Sequence, residues 1–529
     1  MVLTCIGAEA ESYRMYPGTF ARSHPDRPAV IAAEDGAVLT YRQLDDASMR
    51  LARLLHDVEG LRPDDHIAVL STNRLEVYGI YWAALRSGLF VTAINHHLSP
   101  DEVAYVVNDC GAKVLLVSAD LAALGTAIVD TTPGVRRRLA FGGPVAGHDP
   151  YEEVTATQPA EPLAHQPRGA DMLYSSGTTG RPKGIKGNRQ ERMLSEPDPY
   201  AGLFAAMYSF DENTVYYSAA PIYHAAPLRF SAFIHSHGGT VVMARGFNAQ
   251  AALEHIERYG ATHSQWVPTM FVRMLKLPPD VRASYDVSSM KVAVHAAAPC
   301  PVEVKRAMMD WWGPVLYEYY SSTEGNGVTF ITPQDWLARP GSVGRAGLGT
   351  IRICADDGTV LPIGQTGVVY FDRDIEAFRY HNDDDKTLAA RHPDHELWTT
   401  TGDIGHLDED GYLYLTDRKA FMIISGGVNI YPQEIEDCLT MHPDVLDVAV
   451  IGLPDEEMGE RVCAVVQVAP GVTPSDELAE RLREFVRSRI AGYKVPRQVE
   501  FLDELPRSAA GKLVKRVLKE RFARPISRI

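Results

Sequence analysis

The chain has 529 residues, 45% of them hydrophobic and 23% charged, and a formal net charge of −16. That length exceeds one ordinary hydrophobic core, and the composition is that of a folded protein of several subdomains, not of a disordered chain. The acidic balance argues against a general binder of nucleic acid or anionic membrane, yet leaves room for a nucleotide held by a local basic loop.

In chain order, Thr40 caps a helical pattern of leucines and alanines reaching Leu55. His66–Leu70 reads as a compact apolar strand, residues 78–87 as a helix carrying Trp82, and Phe90–Ile94 and residues 113–117 as further short strands. Such alternation predicts α/β layers with a largely parallel sheet. Similar units recur near residues 214–219, 240–243, 262–267 and 291–294. After about Val343 the texture turns to glycines, acidic turns and short β-type runs, ending at 411–416. Beyond Lys419 a smaller unit is expected. It has a helix opening after Tyr431 with Pro432 in its first turn, strands at 445–451 and 462–468, and an amphipathic helix over 475–490. The predicted fold is therefore α/β. A large N-terminal body of several subdomains, residues 1–418, carries mixed and parallel sheets, and a small α+β domain follows at 419–529.

Cys5, Cys110, Cys300, Cys354, Cys438 and Cys463 lie far apart and form no metal or redox pattern, so reduced structural thiols are expected. The longest apolar stretch, 77–95, is interrupted by Arg86, and the N-terminus lacks the layout of a secretory signal. A cytoplasmic protein without an integral membrane segment is the expectation.

Segment 171–186 carries the most information. Ser175, Ser176, Thr178 and Thr179, three glycines, and Lys183 and Lys186 follow a short apolar run. Glycines let a loop close around an anion, N–H groups and hydroxyls donate to phosphate oxygens, and lysine supplies positive charge. The common P-loop spacing is absent, because Lys183 stands between Pro182 and Gly184. A phosphate loop of another kind is one reading; an exposed Gly/Ser/Thr hairpin is the other.

With its distant companions this loop resembles the adenylate-forming superfamily, specifically its acyl-CoA synthetases. The companions are Tyr320-Ser321-Ser322-Thr323-Glu324, Thr400-Thr401-Gly402-Asp403, Asp417-Arg418, the run 425–434 and Gly511-Lys512. The resemblance spans most of the chain. It implies a large body with a small mobile C-terminal lid, which matches the division at 418/419. It also implies that a carboxylate is activated with Mg-ATP, pyrophosphate leaves, and the acyl group passes from AMP to a thiol.

Carboxylate attack on the α-phosphorus raises negative charge on the phosphates, so positioning, cationic charge and a metal matter more than a protein nucleophile. On the resemblance, Ser175, Ser176, Thr178, Thr179 and Lys183 surround the β- and γ-phosphates, with Lys186 a solvated neighbour. Glu324 holds Mg²⁺, Thr323 contacts the α-phosphate and Tyr320 lies against adenine. Ala297 belongs to a small-residue turn beside the adenine and acyl pocket, where His295 replaces a smaller residue. Asp403 accepts the ribose hydroxyls. Arg418 adds a ribose or phosphate contact, or a hinge salt bridge. Lys512 stabilises the adenylation transition state. For the thiol step, Gly426, Gly427 and Asn429 form a loop that admits the thin arm of CoA, with Tyr431, Tyr493 and Lys494 nearby; Lys494 also reads as ordinary solvated charge.

One departure stands out: Ala420 occupies a hinge position where many relatives carry Lys or Asp. For the acid, His224 resembles an aromatic or histidine gate, and Trp266 lines or shortens the pocket; core packing is the commoner reading of each residue alone, and the surrounding motifs shift the reading to ligand contact. Apolar walls favour a medium- or long-chain fatty acid, with benzoate- or cinnamate-like acids next. The expected partners are thus a small carboxylic acid, ATP and CoA, with no nucleic acid. Homo-oligomerisation has no specific motif. The other classes weighed are an adenylating enzyme serving a carrier-protein thiol, and a noncatalytic nucleotide-binding interaction protein.

Overall fold

The computed structural model of the chain describes residues 16–175, 182–187, 191–418, 421–426, 428–455, 457–507 and 513–523, with Ser175 and Arg418 described by backbone alone. The chain divides into two compact units. One comprises Met1–Leu173, Arg189–Gln265 and Ser289–Val292; the other comprises Tyr174–Asn188, Trp266–Ser288 and Ala293–Ile529.

The first unit is built on parallel strands, as the alternation predicts. His66–Leu70 lies between Phe90–Ile94 and Ala112–Ser118. Ala170–Ser175 continues the sheet on one side and Arg137–Phe141 on the other, all in parallel register. His66–Leu70 is buried at every position, as a strand covered on both faces must be. The crossover helix Glu76–Arg86 is buried from Val77 onward. Its last residue, Arg86, pairs with Asp45, which compensates a guanidinium withdrawn from water. Thr40 caps Tyr41–Arg53 through a reciprocal pair of bonds with Gln43, and the helix then runs into a π-helical turn, Leu54–Val58. A second sheet sets Val215–Ser218 between Thr240–Met243 and His263–Trp266, with Pro28–Ala32 parallel beyond Thr240–Met243 and Val38–Thr40 antiparallel at its edge.

In the second unit antiparallel pairing takes over. Leu316–Ser321 runs parallel to Val292–His295 but antiparallel to Val328–Ile331. Ser342–Leu348, Leu413–Arg418, Asp403–Leu407 and Gly367–Asp372 follow in antiparallel order. Lys183–Gly187 and Phe378–Tyr380 form an antiparallel ribbon, with Tyr380 opposite Ile185.

The C-terminal part of this unit has its own sheet, whose hairpin is longer than the sequence patterns imply: Val445–Asp455 with Gly459–Val468. Alternate strand residues face opposite ways. Val448, Val450, Val462, Ala464 and Val466 pack with Ile435 and Leu439 of helix Pro432–Thr440 and with Leu478, Leu482 and Val486 of helix Asp476–Arg487. Ala449, Ile451, Leu453, Cys463 and Val465 meet Leu518 of helix Lys515–Phe522 on the other face. Ser475 caps the second of these helices, accepting from the Leu478 N–H, and the helix ends at Arg487, short of the expected 490.

Among the described residues no helix is long and apolar enough to cross a membrane. The described cysteines are free thiols, and Cys110, Cys354 and Cys463 are buried.

Candidate active site

The sheet of the second unit brings together several residues that lie far apart in sequence. Strand Leu316–Ser321 carries Tyr320 as its penultimate residue, and the turn beyond it holds Thr323 and Glu324, both half-buried. Gly325 follows with φ +64°, a left-handed conformation that glycine adopts without penalty. Arg373 donates to the carbonyls of Gly325 and Asn326, at 3.2 and 3.4 Å, and so pins the turn.

Glu324 does not stand alone. The Tyr380 hydroxyl donates to its Oε1 at 2.9 Å, and Lys183 Nζ lies 5.0 Å from the centre of the Tyr380 ring. The three form a chain from lysine through aromatic ring to carboxylate, with Lys183 and Tyr380 carried by the ribbon of Lys183–Gly187 and Phe378–Tyr380 and Glu324 by the turn after Ser321. Burial holds the Lys183 ammonium below its usual range; Lys386 adds to this, while Asp383 and Glu324 oppose it. Tyr380 is absent from the sequence-level candidates. A tyrosine in an otherwise polar run has no signal until strand pairing sets it opposite the lysine loop.

Asp403 opens strand Asp403–Leu407 and is buried. Its Oδ2 accepts from the Tyr320 hydroxyl at 2.6 Å and from Thr401 Oγ1 at 2.8 Å. Arg418 pairs with Asp403 through the backbone ladder. Its side chain, that of Ser175, and the whole of Ser176, Thr178, Thr179, Ala420, Gly427 and Lys512 lie outside the described residues.

Beside Tyr320's strand, His295 ends Val292–His295, and Ala297 follows with φ +74°, an uncommon conformation outside glycine. Ala297 is exposed, whereas His295 is fully buried. The His295 ring meets Phe271 edge-on at 5.7 Å, and its Nε2 lies 3.4 Å from Glu318 Oε2. Lys305 Nζ lies 2.6 Å from the same oxygen. Burial, with Lys305 adding, keeps the imidazole well below its usual range and therefore neutral. Trp266 is 1% exposed and packs edge-on against Trp312 at 5.7 Å. Both side chains thus sit in a closed aromatic core.

His224 belongs to the first unit. It is the residue before helix Ala225–Ser236, half-buried, with its ring 4.5 Å from that of Tyr223. Tyr223 meets His96 edge-on at 5.3 Å.

Gly426 turns the hairpin of Ile423–Ser425 and Val428–Ile430 at φ +58°, and its N–H donates to the Met458 carbonyl at 2.8 Å. Asn429 pairs with Ile424 inside this hairpin. Tyr431 is half-buried and Tyr493 exposed, while Lys494 forms an ion pair with Glu434.

The pattern of the AMP-binding enzyme family matches residues 19–379, and that of the AMP-binding enzyme C-terminal domain matches residues 434–512. The chain belongs to this AMP-binding enzyme family. It is 30% identical over 507 residues to a long-chain-fatty-acid–CoA ligase of Mycobacterium tuberculosis, covering 94% of this chain and 96% of the relative. It is 32% identical over 524 residues to an indoleacetate–CoA ligase of Aromatoleum aromaticum, covering 96% of each. Among solved structures, an anthranilate CoA ligase in complex with anthranoyl-AMP superposes with TM-score 0.82 at 24% identity, covering 97% and 99% of the two chains, and shares the fold. ATP-bound MatB of Rhodopseudomonas palustris gives 0.78 at 26%, covering 96% and 99%.

The donor set bears on which metal an AMP-binding enzyme of this sequence would take. No group of three His, Cys, Asp or Glu side chains able to hold a metal occurs among the described residues. One carboxylate, Glu324, with Tyr380 on one oxygen, fits Mg²⁺, which keeps most of its shell as water and phosphate and needs few protein ligands.

Proposed function

We propose that this AMP-binding enzyme is an AMP-forming acid–CoA ligase acting on an apolar carboxylic acid. The observation that supports it most is the pairing of two polar clusters in one unit: Lys183, Tyr380 and Glu324 on one side, Tyr320 and Asp403 on the other. The first suits the phosphates of ATP and the second its nucleoside.

Lys183, with Ser175, Ser176, Thr178 and Thr179, would neutralise and orient the β- and γ-phosphates, so that the α-phosphorus faces the acid. Thr323 would donate to the α-phosphate. Glu324 would hold Mg²⁺, which would supply charge neutralisation at the phosphates. Asp403 would accept the ribose hydroxyls while Tyr320 and the Ala297 turn flank adenine, and Arg418 would add a contact to ribose or phosphate. Lys512 would come to the substrate carboxylate and α-phosphate as charge develops there. Residues 419–529 would then act as a lid that re-orients, bringing Gly426, Gly427 and Tyr431 to the CoA arm. Reduced thiols and the use of CoA fit a cytoplasmic setting.

His224 would border the acid pocket; Trp266 and His295, the other residues read as acid contacts, lie buried in the core of the second unit. A medium- or long-chain fatty acid leads, and aryl acids follow, favoured by the rings of His96, Tyr223 and His224 in succession.

A graded panel of alkanoic and aryl acids, with and without CoA, tests this by reading pyrophosphate, AMP and thioester separately. CoA-dependent thioester with equimolar AMP is the expected result. Adenylate that passes only to a carrier-protein thiol would replace the CoA assignment. Mg-ATP binding with no pyrophosphate release from any acid would overturn the enzyme reading.

A further inference from the structure

Asp171 and Arg229 take no part in the chemistry above, and both belong to the first unit. Asp171 is the second residue of strand Ala170–Ser175, and its side chain is only 10% exposed. Arg229 grips it in a fork. Nε lies 3.0 Å from Oδ2 and 3.2 Å from Oδ1, and Nη2 lies 2.6 Å from Oδ2. The Tyr81 hydroxyl also donates to Oδ1, at 3.3 Å. The remaining guanidinium nitrogen, Nη1, makes no hydrogen bond to a described residue, and 34% of the Arg229 side chain stays accessible.

Arg229 stands on helix Ala225–Ser236, just after His224. On this helix Pro227, Leu228 and every residue from Phe230 to Ser236 are buried. The partly open positions are Ala225, Ala226 and Arg229. Spacings of three and four residues put them on one side. The small side chains of Ala225 and Ala226 thus stand at the first turn, with the Arg229 guanidinium one turn along on the same side. Because Asp171 cancels its charge, that edge offers N–H donors without net positive charge.

We propose that Arg229, oriented by Asp171, is a specificity residue that donates through Nη1 to an oxygen on the body of the acid, away from the carboxylate being activated. The substrate class it fits is an apolar carboxylic acid with a distal hydroxyl, ether or keto oxygen. A second carboxylate is recognised less well, since the arginine charge is already neutralised. This inference rests on the reading of His224 as a border of the acid pocket.

The test uses the full-length protein and matched acids: cinnamate with 4-hydroxycinnamate, and decanoate with 9-oxodecanoate. For each, kcat/KM is taken from pyrophosphate release. The wild type should favour the oxygenated member by up to roughly tenfold, the worth of one ordinary hydrogen bond. The double variant Asp171→Leu with Arg229→Met removes both charges together, so neither is left buried alone, and the ratio should fall to about one. Asp171→Asn alone leaves a net cation, and kcat/KM for decanedioate should rise by roughly tenfold. Wild-type indifference to the distal oxygen, an equal fall for both members of a pair, or no gain on decanedioate would each overturn the proposal. Activity on plain and oxygenated acids alike removes this inference and leaves the ligase reading intact; no pyrophosphate with any acid removes both.

Discussion

The Tyr320 hydroxyl donates to Asp403 Oδ2 at 2.6 Å, so the ring assigned to adenine and the carboxylate assigned to ribose are bonded to each other. Thr401 occupies the same oxygen at 2.8 Å. The carboxylate is thus oriented by two hydroxyls, and on the proposed ribose role such preorganisation would lower the cost of binding nucleotide.

Removing the acceptor and removing one of its supports should differ in size. Asp403→Asn should raise the ATP KM by roughly 10- to 100-fold, as expected for a lost charged acceptor, and Tyr320→Phe by only a few-fold. The double variant should show coupling of about 1 kcal/mol, because the two groups share a bond. Steady-state pyrophosphate release against ATP concentration gives all three values. Full additivity would mean that the bond does not contribute to nucleotide binding.

Tyr380→Phe keeps the ring beneath Lys183 and deletes the hydroxyl on Glu324. Glu324 then loses its orientation but not its charge. Half-saturation by Mg²⁺ at fixed ATP should shift up several-fold, about what one neutral hydrogen bond is worth. Glu324→Gln should shift it much further. A Mg²⁺ titration of adenylation is the measurement.

Asp437, on helix Pro432–Thr440, should impose a pH dependence on stability. Burial, reinforced by Glu436, Asp417 and Glu434 and opposed by a bond from Gln433, pushes its carboxyl up to about 7. Between its ordinary value of 3.8 and that value, the folded chain holds a proton that the unfolded chain has released. Its contribution therefore falls as pH rises through this window and is level above it. Asp437→Asn should accordingly raise Tm relative to wild type at pH 8 by a few degrees, with a smaller gain at pH 5. Calorimetry at the two pH values distinguishes this from a uniform effect.

The two half-reactions should separate by residue. Lys512→Ala should lower acid-dependent adenylation by about a hundredfold or more, the scale of a lost transition-state donor, while thioester formation from supplied acyl-AMP falls less. Gly426→Ala should do the reverse. A methyl at φ +58° is strained and meets the Met458 side chain, so the hairpin assigned to the thiol step would be disturbed first. Equal loss in both assays for either variant would reject its assignment.

Much of the fold is legible in the sequence because its signals are local. Thr40 and Gln43 lie three residues apart and form the capping pair; His66–Leu70 is apolar throughout and is a buried parallel strand. Tyr320, Glu324 and Asp403 stand out through motifs whose members are neighbours in the chain. Tyr380 and Arg373 do not, since their value comes from partners on other strands. Trp266 and His295 show the opposite difficulty. Aromatic residues beside site motifs read equally as pocket wall or as core, and only burial, 1% and 0% exposed, sorts them.

The ribbon of Lys183–Gly187 and Phe378–Tyr380 has a bearing on synthesis. Tyr380 faces Ile185 across about two hundred intervening positions, so this contact is among those that form only after a very long loop has closed. A nascent chain still threading residue 380 through the ribosome carries the lysine arm but lacks the tyrosine that links it to Glu324. Nucleotide binding should therefore arise late in translation, and fragments ending before residue 378 should not acquire it.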